Sequence, residues 1–138
     1  MGRRRSGPSA KGLLGRLEYQ VMRSLWASAP ANVAAVQARI NEGRGEDDQL
    51  AYTTVMTVLA RLHDKGLIDR ARRGRGYDYT PRFSEEELVA HLGRREVDHL
   101  LERYGGRVVL AQFAAAMEDA DPNLIAELRG LLDRVDDA

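Results

Sequence analysis

The 138-residue chain contains no cysteine, which excludes disulfides, zinc ribbons, thiolate metal sensing and cysteine nucleophiles. It also has no apolar run approaching the ~20 residues that a membrane span requires, so no membrane insertion is expected. The amino terminus, MGRRRSGPSAKG, is basic but lacks the apolar stretch of a secretory signal. The remainder, rich in acid, does not resemble a transit peptide, and the chain reads as cytoplasmic. There is no internal repeat. With 43% hydrophobic and 30% charged residues, the composition is that of a globular protein and not of a disordered one.

Net charge is absent as well, but only in the sum. Residues 1–83 hold 15 Lys and Arg against 8 Asp and Glu, a net charge of +7; residues 84–138 hold 6 against 13, a net charge of −7. A basic front half suits a polyanionic partner, and the acidic back half suggests a second role.

Three helical patterns occupy the basic half. Residues 1–11 read as a disordered basic arm. Apolar residues at 13, 14, 17, 21, 22, 25 and 26 predict an amphipathic helix over 13–26. Pro30 breaks it, and Asn32 is placed to cap a short second helix carrying Val33, Val36 and Ile40. After the polar stretch NEGRGEDDQ, the segment AYTTVMTVLARL sets propensity against period. Thr53, Thr54, Val55, Thr57 and Val58 are β-branched and disfavour a helix. Val55, Val58, Leu59 and Leu62 nonetheless fall at i, i+3, i+4 and i+7, so a helix over 51–65 is predicted, stopped by Gly66. Beyond Gly66 the pattern alternates: residues 67–72 and 77–80 read as two strands around the basic turn RGRG, and Pro81 ends them. Three helices followed by a two-stranded hairpin make a winged helix-turn-helix, expected over residues 12–82.

The acidic half, residues 83–138, reads as helical. Ser84 with Glu87 forms a capping box before a helix carrying Leu88, Leu92, Val97, Leu100, Leu101 and Tyr104. Gly105 and Gly106 interrupt it, a shorter helix follows with Val108, Val109, Leu110, Phe113 and Met117, and DADPN resets the chain before the last. So much apolar surface on three short helices could hardly be satisfied by folding back on itself. A helical dimerisation domain is expected, with Leu88, Leu92, Leu100, Leu101, Tyr104, Val109, Phe113, Leu128, Leu131 and Leu132 at the contact. The fold class is therefore mainly α with a small β-hairpin wing.

The outward face of the third helix carries Tyr52, Thr53, Thr54, Met56, Thr57 and Arg61, with no acid before Asp64. Threonine offers a hydroxyl to a phosphate or base edge and a methyl to the C5-methyl of thymine, and short side chains let a helix sit deep in a major groove. A face drifting in solvent would instead accumulate Glu, Lys and Ala. The hairpin tip, with Arg72, Arg73 and Arg75 around glycine, suits phosphates or a minor groove. By itself it is equally a solvated turn, and it gains meaning from the helix before it.

Enzymatic readings find no support. His63, His91 and His99 form no HExxH motif and flank no plausible serine nucleophile. His91 and His99, two turns apart, could join Glu87 or Glu96 at a metal, but histidines on such a helix are far more often structural. GRGYDY lacks the lysine and setting of a phosphate loop. No catalytic residue, metal or cofactor is expected.

LGRLEYQVMRSLWA in the first helix and AYTTVMTVLARLHDKGLIDRARRGRGYDYTP through the wing resemble the penicillinase and methicillin-resistance repressors and their copper-responsive relatives, the BlaI/MecI/CopY group. YGGRVVLAQFA is a looser match. The resemblance covers nearly the whole chain from Leu13 and is strongest through Pro81. It implies a homodimeric transcriptional repressor on double-stranded operator DNA of dyad symmetry, with the third helix in the major groove and the wing on the flanking backbone. It makes Thr53, Thr54, Met56 and Thr57 the reading positions, with Tyr52 and Arg61 in support. Other members often have a basic or amide side chain where Met56 stands. The copper-responsive branch uses a cysteine pair that this chain lacks. The β-lactam branch has a membrane sensor protease as partner, which derepresses by cutting the dimerisation domain; no cleavage pair is matched here, and Gly105-Gly106-Arg107-Val108 is a candidate region only. The alternative function is a small-molecule-responsive, MarR-like regulator of the same fold. A protein-interaction module would instead expose an apolar helix face where this chain has threonine and arginine.

Overall fold

The computed structural model describes residues 9–137, so most of the expected basic arm, Arg3, Arg4 and Arg5 included, lies outside the described residues. The chain divides into two compact units, Met1–Leu92 and Gly93–Ala138. The first unit contains α1 (Arg16–Ala27), α2 (Val33–Glu42), α3 (Tyr52–Asp64) and a hairpin of β1 (Ile68–Arg73) and β2 (Gly76–Pro81). The helix α4 (Glu85–Tyr104) begins in the first unit, and α5 (Gly106–Ala120) and α6 (Asn123–Asp136) lie in the second.

The predicted helical stripes are the core of the first unit. Val21, Met22 and Leu25 from α1 meet Val33 and Val36 from α2 and all four inward residues of α3, Val55, Val58, Leu59 and Leu62. Leu67, Ile68 and Tyr79 close the core from the hairpin side. Burial of each such side chain contributes about 1.5–3 kcal/mol, against a propensity cost below ~1 kcal/mol for a β-branched residue. Period therefore outweighs propensity in α3.

Polar contacts fix how the helices enter and leave. Asn32 caps α2 by accepting the Ala35 N–H at 2.8 Å, as its position implied. Arg39 Nη1 donates to the carbonyls of Ser24 and Ser28, at 3.0 and 2.7 Å, tying α2 to the end of α1. Asn41 pairs both ways with the Leu50 backbone, at 2.8 and 3.1 Å, which clamps the α2–α3 loop and its 3-10 turn, Glu46–Asp48. At the end of α3, Leu67 N–H reaches Leu62 O at 3.0 Å and Gly66 N–H reaches His63 O at 2.9 Å. This Schellman closure needs a left-handed residue, and Gly66 supplies it with φ +76°. The chain then leaves directly into the wing.

The hairpin pairs Ile68 with Pro81 through Arg73 with Gly76. Gly74 and Arg75 are its two central residues, with a positive φ, +60°, only at Gly74, as a type II′ turn requires. A third piece of extended chain was not visible in the sequence: Ala31 bridges Tyr79 through paired backbone hydrogen bonds of 3.0 and 2.8 Å.

Three expectations are corrected. The first helix starts at Arg16 and not at residue 13, because Leu13 closes a turn on Ala10 O and Glu18 Oε1 accepts the Gly15 N–H at 3.2 Å, which sets the helix start there. The expected disordered arm does not extend through residue 11: Ala10 has no exposed area, and its N–H donates to Glu85 Oε2 at 3.0 Å. Leu88, expected at the dimer contact, is 0% exposed and belongs to the core of the first unit, with Leu92 packed against it. Ser84 does cap α4, accepting the Glu87 N–H at 3.1 Å.

Candidate nucleic-acid interface

The burial of Val55, Val58, Leu59 and Leu62 on one side of α3 leaves the opposite side free. Thr53 and Thr57, exposed and one turn apart, run along its centre. To one side lie Tyr52 and Met56, 49% and 43% exposed, in a cleft whose far wall is the wing with Arg70, Arg73 and Asp78. To the other side lie Thr54, half-buried, and Arg61, exposed, beside Leu17 of α1. All six positions named on this helix thus share one surface, divided into an apolar strip facing the wing and a hydroxyl-rich strip facing α1.

Thr57 Oγ1 donates to Thr53 O at 2.8 Å, so its hydroxyl hydrogen is used within the helix. What it presents outward is an acceptor oxygen and a methyl. Thr53 offers the same atoms with its hydrogen free. The far end of α3 is pinned by Lys65, whose Nζ donates to Glu18 Oε2 at 2.8 Å. Glu18 is an almost fully buried carboxylate, an arrangement that costs free energy unless paired. The pair, with the Gly15 contact, ties the C-terminal end of α3 to the first turn of α1.

On the wing, Arg72, Arg73 and Arg75 are all exposed. Their surroundings differ. Arg73 Nη1 donates to Asp78 Oδ2 at 3.0 Å, while Arg72 and Arg75 have no ion pair or hydrogen bond among the described residues. Arg70, which the sequence reading did not select, lies 4.3 Å over the Tyr77 ring. Its signal was the strand register, which sets Arg72 opposite Tyr77 and Arg70 opposite Tyr79. Asp78 was missed too, since an acid at a basic tip has no obvious place in a phosphate-binding motif.

In the second unit, no described residue is buried. Apart from Leu13, Tyr52 and Met56, every large exposed hydrophobic side chain of the described residues lies here, including Leu100, Leu101, Tyr104, Phe113, Leu131 and Leu132. Val109 and Leu128 are half-buried. No group of three or more metal-ligating side chains occurs among the described residues, and no helix there is long and apolar enough to cross a membrane.

Three helices and an antiparallel wing, with the last helix presenting an uncovered face beside basic strands, define a winged helix-turn-helix protein. The family model described as penicillinase repressor matches residues 14–134, and the chain belongs to that family. Among curated proteins it is similar to the transcriptional regulator BlaI of Mycobacterium tuberculosis, in strains CDC 1551 / Oshkosh and ATCC 25618 / H37Rv. The identity is 44% over 80 residues, which are 57% of this chain and 55% of the relative. The chain thus spans about half the length of the curated relatives it matches. Among solved structures it is similar to the solution structure of the DNA-binding domain of the repressor BlaI, with TM-score 0.45 and 26% identity over 54% of this chain and 85% of that one. It is also similar to the PcaV transcriptional regulator of Streptomyces coelicolor in complex with its natural ligand, with TM-score 0.46 and 20% identity over 91% and 76%.

Proposed function

We propose that the protein is a sequence-specific transcriptional repressor that binds double-stranded operator DNA as a homodimer. The observation that carries this reading is the outward face of α3: Tyr52, Thr53, Met56, Thr57 and Arg61 are exposed, no carboxylate interrupts them, and the arginine wing stands beside them. Such a helix fits a major groove, while Arg72 and Arg75 contact phosphates of the flanking backbone. Family membership supports the reading, and the relatives in Mycobacterium tuberculosis are transcriptional regulators.

Residues 12–82 bind DNA and the helical residues beyond them dimerise. The second unit supports this role because a 46-residue unit with no buried side chain among its described residues cannot stabilise itself by its own core. A second copy covering Leu100, Leu101, Tyr104, Val109, Phe113, Leu128, Leu131 and Leu132 supplies the missing partner surface, and dyad symmetry in the operator follows from dyad symmetry in the dimer. Derepression by a membrane sensor protease that cuts in this unit is part of the same proposal, as is action in the cytoplasm. Incubating the purified chain with sheared genomic DNA and sequencing the retained fragments tests the function. A shared inverted repeat is expected, whereas retention without any common sequence contradicts the proposal.

A further inference from the structure

Asp78 is the only acid between Arg70 and Arg82, and neither base reading nor phosphate anchoring accounts for it. An anchor made only for phosphates gains nothing from a carboxylate that cancels one of its charges. The Asp78 side chain is 18% exposed, held beneath an Arg73 side chain that is 80% exposed, with Nη1 to Oδ2 at 3.0 Å. The two meet across the hairpin because the register sets Asp78 opposite Ala71 and Gly76 opposite Arg73, a diagonal pair on one face of the sheet. A guanidinium carries five donors in a rigid fork. Asp78 takes one and leaves the others towards solvent. Both residues line the cleft whose opposite wall is Tyr52 and Met56 of α3. Arg75 lines the cleft too, but neither it nor Arg72 has such a partner among the described residues.

We propose that Asp78 is a positioning residue for Arg73: it holds the guanidinium in one orientation, so that the wing distinguishes groove shape at the operator instead of adding undirected positive charge. The inference rests on the DNA-binding reading above. An oriented arginine gains most where the minor groove is narrow and its potential deep, and this discriminates between sequences without base contacts. With the Arg73 side chain 80% exposed, the pair adds little to the stability of the hairpin itself.

The test titrates the full chain on a duplex selected from genomic fragments and on its scrambled version, at one salt concentration. Asp78→Asn, which keeps the shape, should lower the selected-over-scrambled affinity ratio by roughly fivefold or more, the size of one good directional contact. Affinity for scrambled DNA should stay level or rise, since a carboxylate has left the wing. Arg73→Lys, which keeps the charge and loses the fork, should lower the ratio equally, and Asp78→Glu should restore part of it. In an Arg73→Ala background, Asp78→Asn should change the ratio less than about twofold, because its effect passes through Arg73. A parallel shift on both duplexes would reduce Asp78 to net charge and overturn the inference. So would an undiminished effect in the Arg73→Ala background, or an Arg73→Lys variant with the wild-type ratio. Failure of the DNA-binding reading is distinguishable, since the unaltered chain would then bind neither duplex in preference, and the inference would fall with it.

Discussion

Thr57 spends its hydroxyl hydrogen on Thr53 O, and that single bond limits what it can say to DNA. It can accept from an exocyclic amino group or pack its methyl, but it cannot donate without breaking the internal bond. Thr57→Ala removes both remaining contacts and should narrow the free-energy gap between operator and random duplex by about 1–3 kcal/mol in competition titrations. An unchanged gap would move the reading function to Thr53 and Met56. Met56 itself has no hydrogen-bonding reach to base edges, and its exposure beside Tyr52 makes an apolar strip suited to thymine methyls. The chemistry of these positions was legible in the sequence because the helical period alone assigns inside and outside. The internal bond of Thr57 was not, because it depends on a rotamer.

At the scale of elements, α3 and the wing act together only because Gly66 turns the chain between them. Its φ of +76° is one that a side chain adopts at a cost; space is no obstacle, since a Cβ there would make only an ordinary contact with Arg82 Nη1 at 3.6 Å. Gly66→Ala should lower unfolding stability by about 1–2 kcal/mol in thermal or urea melts. A neutral result would show that the Schellman closure does not hold this junction. The wing's charge is a separate matter. Arg75→Ala should weaken binding to all duplexes alike and reduce the slope of log affinity against log salt by about 1. Selective loss on the operator would instead make Arg75 a reader.

Helices α1, α2 and α3 and the hairpin could all be anticipated from apolar spacing, the Asn32 cap and the glycines at 66 and 74. What escaped is what periodicity cannot carry. Ala31 contributes a bridge of one residue, too short to have a period. The start of α1 was misplaced because the apolar stripe continues upstream through Leu13 and Leu14 while the backbone has already turned. The Arg73–Asp78 pair depends on a diagonal across the hairpin, which only the turn type and register reveal. Leu88 and Leu100 fit the same helical pattern, yet one is in a core and the other is exposed. Spacing identifies an apolar face but not which neighbour covers it.

For the whole molecule, the charge asymmetry runs alongside a difference in packing: the first unit has a formed core, and the second leaves its apolar side chains exposed. In the proposed dimer a second copy covers that surface, and DNA binding would then be bivalent, with two α3 helices on two half-sites. Phe113→Asp places a charge on the exposed apolar surface of the second unit, which also carries Leu110, Leu131 and Leu132. It should raise the dimer dissociation constant by about tenfold or more in sedimentation experiments. Operator affinity should fall with it, while the melting of the first unit stays unchanged. A variant that remains dimeric at low concentration would place the contact elsewhere.

In the proposed function the threonine face of α3 and the arginine wing read a particular DNA sequence. Measuring the affinity of the full chain for its best genomic fragment and for a scrambled duplex of equal length and composition, at physiological salt, tests it most directly. A preference of about a thousandfold or more is expected, as specific regulators show over their own non-specific binding. Equal affinity for the two duplexes would contradict it.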